Sequence, residues 1–96
     1  MQFILIAYDG TDGEAPLRRS DVRPDHLKNV DNLRQKGEFL FGGAILDDNK
    51  NMIGSVIVYE YPDRQALNKM LEKEPYIVGK VWERIDIKPF RLAKHD

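Results

Sequence analysis

The sequence predicts an α+β fold of order βαββαβ, and three observations point to it. Four runs rich in aliphatic and aromatic residues alternate with two helical stretches. The two middle runs are joined by the polar turn Asp47-Asp48-Asn49-Lys50-Asn51, which reads as a hairpin. The strand-like runs Met1–Tyr8 (MQFILIAY) and Phe39–Leu46 (FLFGGAIL) also lack a clean alternation of wet and dry positions, so they expect burial on both sides. Right-handed crossovers then place both helices on one face of a four-stranded antiparallel sheet. This is the ferredoxin-like plan, which hosts many unrelated functions.

Each element has its own signal. The first strand ends near Tyr8, where Asp9-Gly10-Thr11-Asp12-Gly13 supplies turn chemistry. A helix is expected over 22–36. Pro24 and Asp25 suit its first turn, Leu27, Val30 and Leu33 form a narrow apolar stripe, and Gly37 supplies a stop. Glu38–Leu46 and Met52–Tyr61 are the hairpin strands. Pro62-Asp63 opens the second helix with Asp63 as N-cap, and Ala66, Leu67, Met70 and Leu71 give it a buried face. Glu74-Pro75 ends that helix or begins one more turn. Trp82–Leu92 closes as a strand, with Glu83, Ile85 and Ile87 on one side and Trp82, Arg84 and Asp86 on the other. Ala93–Asp96 reads as a frayed end.

Bulk properties narrow the function. A chain of 96 residues is one small domain, 1–96, with a modest core. Two helices cover one sheet face, and a second copy of the chain is the simplest cover for the other. A homodimer or a higher assembly is therefore expected, with a pocket between helices and sheet or near the shared face. The absence of cysteine removes disulfides, thiol nucleophiles and thiolate metal sites. A formal charge of −1 offers no field for polyanions. The third strand, Gly54–Tyr61 (GSVIVYEY), carries aliphatics where an RNA-recognition sheet would carry stacking rings, so no nucleic-acid partner is expected. Gly10 and Gly13 are not followed by Gly-Lys-Ser/Thr and do not form a phosphate loop. No metal is expected from His26 and His95 alone, and Asp47–Asn51 lacks the glycine and terminal glutamate of a calcium loop. No apolar run approaches a membrane span and no signal peptide opens the chain, so a soluble cytoplasmic protein with no membrane partner is expected.

The ordered residue set resembles the YCII-related (YciI-like) family over nearly the whole chain. The pieces are Arg19 and Arg23 before His26-Leu27, then Gly37, Gly42-Gly43, Gly54-Ser55, Glu74-Pro75-Tyr76 and Ile87-Lys88-Pro89-Phe90. No one piece is specific; the set at these spacings is. The resemblance implies a dimeric α+β barrel whose pocket pairs the helix-one histidine with an acid. A few relatives are lyases or dehydrohalogenases on small ring compounds, and the wider barrel group includes muconolactone isomerases. The family's usual Asp-Pro-Phe/Tyr stands here as Glu74-Pro75-Tyr76, and the extra methylene puts the acid's geometry in question.

His26 is accordingly the main catalytic candidate, since an imidazole exchanges protons near neutral pH. It lies one position from the expected stripe, about 100° around the helix, and in the first turn of the helix as drawn. The plainer alternative is a boundary histidine bonded to a neighbour. Glu74 is the second catalytic candidate, either orienting His26 or lying exposed in the run Glu72-Lys73-Glu74. Arg19 and Arg23 are substrate-binding candidates for an anion, or else pair with Asp21 or Asp25. Tyr8 offers a phenol to a pocket or a rim aromatic. Gly43, with Gly42, marks a β-bulge, a close approach of ligand, or helix packing. Ser55 is either a ligand contact or a small inward packing residue. Trp82 and Tyr76 read as core or interface anchors. The expected function is a cofactor-free lyase, isomerase or dehydrohalogenase on a small organic molecule, anionic or cyclic. The alternative is a dimeric ligand-binding or accessory module without chemistry.

Overall fold

The computed structural model describes residues 1–93 of the chain. Of the end expected to fray, Ala93–Asp96, the last three residues, His95 among them, lie outside the described residues. The elements run β1 (Gln2–Asp9), α1 (Ala15–Gln35), β2 (Phe39–Leu46), β3 (Met52–Glu60), α2 (Arg64–Leu71), α3 (Pro75–Val78) and β4 (Trp82–Phe90). The strands pair antiparallel in the order β2-β3-β1-β4, the ferredoxin-like arrangement expected. Among the described residues no helix is long and apolar enough to cross a membrane.

On β1 the side chains of Phe3, Leu5 and Ala7 point to the core by the period of two. Ile57 and Tyr59 of β3 join them there, covered by Val30 and Leu33 of α1, Leu67 and Leu71 of α2 and Tyr76 of α3. Asp63 caps α2 as expected, its carboxylate accepting from the Ala66 N–H at 2.8 Å. Gly37 ends α1 in the left-handed region at φ 75°.

Three expectations are corrected. The first helix starts at Ala15, seven residues earlier than drawn, so Pro24 lies inside it and Pro16 occupies its first turn. His26 consequently sits well within the helix and not in its first turn. Leu27 is 41% exposed and is not part of the buried stripe. The buried positions are Ala15, Arg19, His26, Val30 and Leu33, with Val22 partly buried among them. These spacings are helical throughout, but two of the positions are charged or polar. Residues 15–21, the first third of α1, offer only Ala15 and charged Arg19 on that face, so apolar periodicity missed them. On β4, register slips from Tyr8↔Arg84 to Asp9↔Trp82, leaving Glu83 as an extra residue. The bulge turns Trp82 to the helix side with Ile85 and Ile87, not away from them. Register also slips at Leu40 and at Ile53, whereas Gly42 and Gly43 pair regularly with Ile57 and Val56 and mark no bulge. At Gly42 a Cβ would meet the Val56 carbonyl at 2.8 Å and the Phe39 ring at 3.0 Å, so close packing within the sheet, not against the helices, explains it; at Gly43 a Cβ would meet open space.

The helix-free face carries Ile4, Ile6, Val56, Val58, Gly43 and Phe41 in adjoining register rows. Phe41 is 44% exposed there, while β4 borders the patch with Arg84, Asp86 and Lys88.

At Gly54 a Cβ would run into the Ala7 carbonyl oxygen, a backbone atom held in the central strand pair. Gly54→Ala is expected to cost about 1–3 kcal/mol. An unchanged urea midpoint would show that β1 and β3 separate freely there.

Candidate active site

The polar residues on the buried stripe of α1 build the site. His26, 7% exposed, places Nδ1 2.8 Å from Oε1 of Glu74, which is 1% exposed. Glu74 follows α2 and caps α3: its Oε2 accepts from the Tyr76 N–H at 2.5 Å. Asn29, one turn beyond His26 on the same helix face, donates to Oε1 at 3.2 Å. Three N–H donors thus converge on one buried carboxylate. With Nδ1–H donating to Glu74, the lone pair of the neutral ring resides on Nε2, which makes no hydrogen bond to the described residues. Tyr76 stacks on the imidazole at 3.9 Å and 12°, and Trp82 meets it edge-on at 6.1 Å. Burial pushes the Tyr76 phenol up from its usual range, while Arg19 and Arg23 partly offset this.

A second cluster adjoins the first. The Arg19 guanidinium donates from Nη1 to both carboxylate oxygens of Asp9, at 2.9 and 3.0 Å, and from Nη2 to Ser55 Oγ at 3.1 Å. It also lies 4.8 Å from the centre of the Tyr76 ring. The Trp82 Nε1–H donates to the same Ser55 Oγ at 3.1 Å. The bulge at Glu83 thus delivers the indole to the site.

Two cavities open beside these clusters. The smaller, of about 220 Å³, lies between α1 and the β2–β3 end of the sheet; His26, Ser55, Arg19, Arg23, Arg34 and Gly43 are among its lining. Gly42 and Ala44 of β2 line it with almost no side-chain bulk. The larger, of about 560 Å³, is lined by Tyr8, Asp9, Asp12, Asp47 and others, and shares Arg19, Arg23 and Met52 with the smaller.

The structure brings His26 and Glu74 together within one chain and seals Glu74 behind the imidazole, away from solvent. The exposed run expected at Glu72–Glu74 ends one residue early. The extra methylene does not separate the acid from the ring. Arg19 is not a free anion ligand: Asp9, not Asp21 or Asp25, holds it. Arg23 is exposed and makes no ion pair among the described residues, leaving its guanidinium available at the cavity mouth. Ser55 is inward-facing and hydrogen-bonded rather than merely packed. Tyr8 stands on the rim of the larger cavity with Arg84 over its ring.

Asp9, Asn29 and Arg34 were not anticipated. Asp9 follows Ala7 by two along β1 and so shares its face, a signal hidden by reading it as a turn residue. Asn29 and Arg34 lie within the helix as drawn; running the buried stripe through His26 in place of Leu27 would have brought Asn29, three residues on, to the site. Among the described residues no three potential metal ligands cluster.

Comparison with known proteins agrees with this architecture. The model of the YCII-related domain matches residues 1–91, and the chain belongs to that family. It is 28% identical over 97 aligned residues to protein YciI of Escherichia coli O6:H1, covering 95% of this chain and 97% of that protein. It is also 28% identical over 80 residues to an uncharacterized protein of Haemophilus influenzae, covering 77% and 82%. Among solved structures it is similar to 5-chloro-2-hydroxyhydroquinone dehydrochlorinase from Burkholderia phenoliruptrix AC1100 in complex with 2,5-dihydroxybenzoquinone. The TM-score is 0.83 at 22% identity, over 100% of this chain and 99% of that one. SnoaB, a cofactor-independent oxygenase from Streptomyces nogalater, shares the fold more loosely, with a TM-score of 0.57 at 11% identity over 96% and 93%. These two likenesses speak to fold.

Glu74→Gln sets an amide nitrogen against either the Tyr76 N–H or the His26 and Asn29 donors. A loss of about 1–3 kcal/mol in unfolding free energy is expected, because a buried group goes unsatisfied. A second consequence is a shift of the His26 proton toward Nε2, visible in nitrogen-15 spectra of the imidazole. An unchanged tautomer and urea midpoint would mean that Glu74 does not orient the ring.

Proposed function

We propose that the chain is a cofactor-independent enzyme that removes a proton from a small, anionic or cyclic organic molecule, driving an elimination or isomerisation. The single observation behind this is the His26 ring, whose Nδ1 is held by buried Glu74 while the residue lines a cavity of about 220 Å³. A neutral imidazole so oriented presents Nε2 as a general base. Glu74 acts by fixing the tautomer and stabilising the imidazolium that forms, as a carboxylate does behind a catalytic histidine. Asn29 and the Tyr76 N–H hold that carboxylate in turn.

Arg23 and Arg34, both exposed and both lining the cavity, steer an anionic group toward the imidazole. The volume suits one substituted ring. Halogenated hydroxyquinols are natural first substrates to try, since the dehydrochlorinase of the same fold acts on one.

A positioned general base contributes typically about 10²–10⁴-fold. With 5-chloro-2-hydroxyhydroquinone and a panel of halogenated phenols and lactones, chloride release or isomer formation is expected from the wild-type chain. His26→Ala is expected to lower kcat/KM by at least about 10²-fold with the fold intact by circular dichroism. Undiminished turnover in that variant would remove His26 from the chemistry. Ligand binding without any product would favour a binding module built on the same arginine-lined cavity.

The apolar helix-free face is covered, in this proposal, by a second copy of the chain. Exposed Phe41 with half-buried Ile4, Ile6 and Val56 gives each protomer an apolar patch on which a second copy can seat. Sedimentation equilibrium is expected to report a dimer, and Val56→Asp a monomer. A wild-type monomer at high micromolar concentration would rule out this arrangement.

A further inference from the structure

Ser55 stands on β3 between the two polar clusters, 3% exposed, with its side chain on the wall of the smaller cavity. A serine hydroxyl has one proton to donate and two lone pairs that accept. Both acceptor sites are taken, one by Arg19 Nη2 and one by Trp82 Nε1, each at 3.1 Å. The hydroxyl proton itself meets no acceptor among the described residues. Oγ therefore has a fixed orientation, with its free donor directed away from Arg19 and Trp82. The guanidinium bonded to Oγ is itself fixed by Asp9, so the arrangement is preorganised before any ligand arrives. Donation from a cation makes a hydroxyl a stronger donor.

We propose that the Ser55 hydroxyl is the oxyanion donor of this site, and that the ligand it favours carries a conjugated oxygen on which negative charge can settle. This rests on the proton-abstraction function above. As His26 Nε2 takes a proton from carbon, the C–H electron pair moves into the conjugated carbonyl and leaves an enolate or phenolate oxygen. Ser55 donates a hydrogen bond to that oxygen without giving up its proton. The pair then returns, either expelling halide or taking a proton at another carbon, and the proton on His26 passes to water or back to substrate. Arg23, exposed and without an ion-pair partner among the described residues, is suited to capture but less to this task. Arg19 is a positioning residue: it acts through Ser55 and Tyr76.

The test compares two probes. 2,5-Dihydroxybenzoquinone is an acid whose anion spreads charge over conjugated oxygens; 2,5-dimethylbenzoquinone is a neutral ring of similar shape. Ser55→Ala is expected to weaken binding of the anionic quinone about 10- to 100-fold and leave the neutral one within about twofold. Ser55→Thr keeps the hydroxyl and is expected to restore much of the difference, which also covers the case of an unstable alanine variant. On any substrate turned over, Ser55→Ala should lower kcat by about 10²–10³-fold with a much smaller change in KM. Equal weakening of both quinones would indicate a merely structural serine and overturn the proposal, as would no change for either. Loss of turnover in His26→Ala but not in Ser55→Ala would overturn it while sparing the general base. Turnover indifferent to both variants, or a wild-type chain that binds neither quinone at millimolar concentration, would overturn both.

Discussion

A single buried carboxylate organises the helix layer. Glu74 occupies the break between α2 and α3, where Pro75 fixes the first position of the short helix and gives up no needed donor. One of its oxygens reaches across to α1 and the other caps α3. A carboxylate sealed from water is tolerable only when its acceptor positions are filled, and breaking such a group is costly. Any movement of α1 against α3 would strand it. The orientation of His26 is therefore set by the same contact that joins these helices, so the geometry of the site and the packing of the domain are one problem. Gly79 reinforces the contact, since a Cβ there would meet the Val22 side chain at 2.8 Å.

The aromatic side chains distribute this rigidity. Tyr76 lies parallel to the imidazole and beside the Arg19 guanidinium, while Trp82 closes on both rings edge-on. Flat groups with few rotatable bonds lose little entropy when ordered, so they suit a site that must hold its shape without ligand. The cavity side is different. Gly42 and Ala44 contribute almost no bulk, and Arg23 and Arg34 remain exposed. Rigid groups thus lie behind the imidazole, and adjustable ones in front of it.

Much of the fold was legible in the residues. Element order, sheet plan, the cap at Asp63 and the stop at Gly37 follow from period, turn chemistry and capping rules that act locally. The start and the buried stripe of α1 did not, because Arg19 and His26 occupy inward positions that apolar periodicity expects aliphatics to fill. Their burial depends on partners far along the chain, Asp9 for one and Glu74 for the other, and no local rule reports such pairs. The same cause explains Glu74, which reads as a solvated residue beside Lys73 until Asn29 and His26 are known to face it. Trp82 was assigned to the wrong face because a one-residue slip is invisible to strict alternation. Where local pattern failed, a polar group was being held for use by distant neighbours.

The slip at Glu83 reaches further than its size implies. In a strand, parity decides which face a residue sees, and an inserted residue reverses parity for everything before it. By that reversal the indole of Trp82 shares a layer with Ser55 and the imidazole, although β4 continues as an ordinary edge strand beyond. A homologous chain that paired Glu83 regularly opposite Asp9, with no slip, would keep its sheet and its helices, yet would send the indole to the helix-free side. The serine would then lose one of its two fixed donors and rotate freely, and a site otherwise identical in composition would no longer know where to aim its hydroxyl.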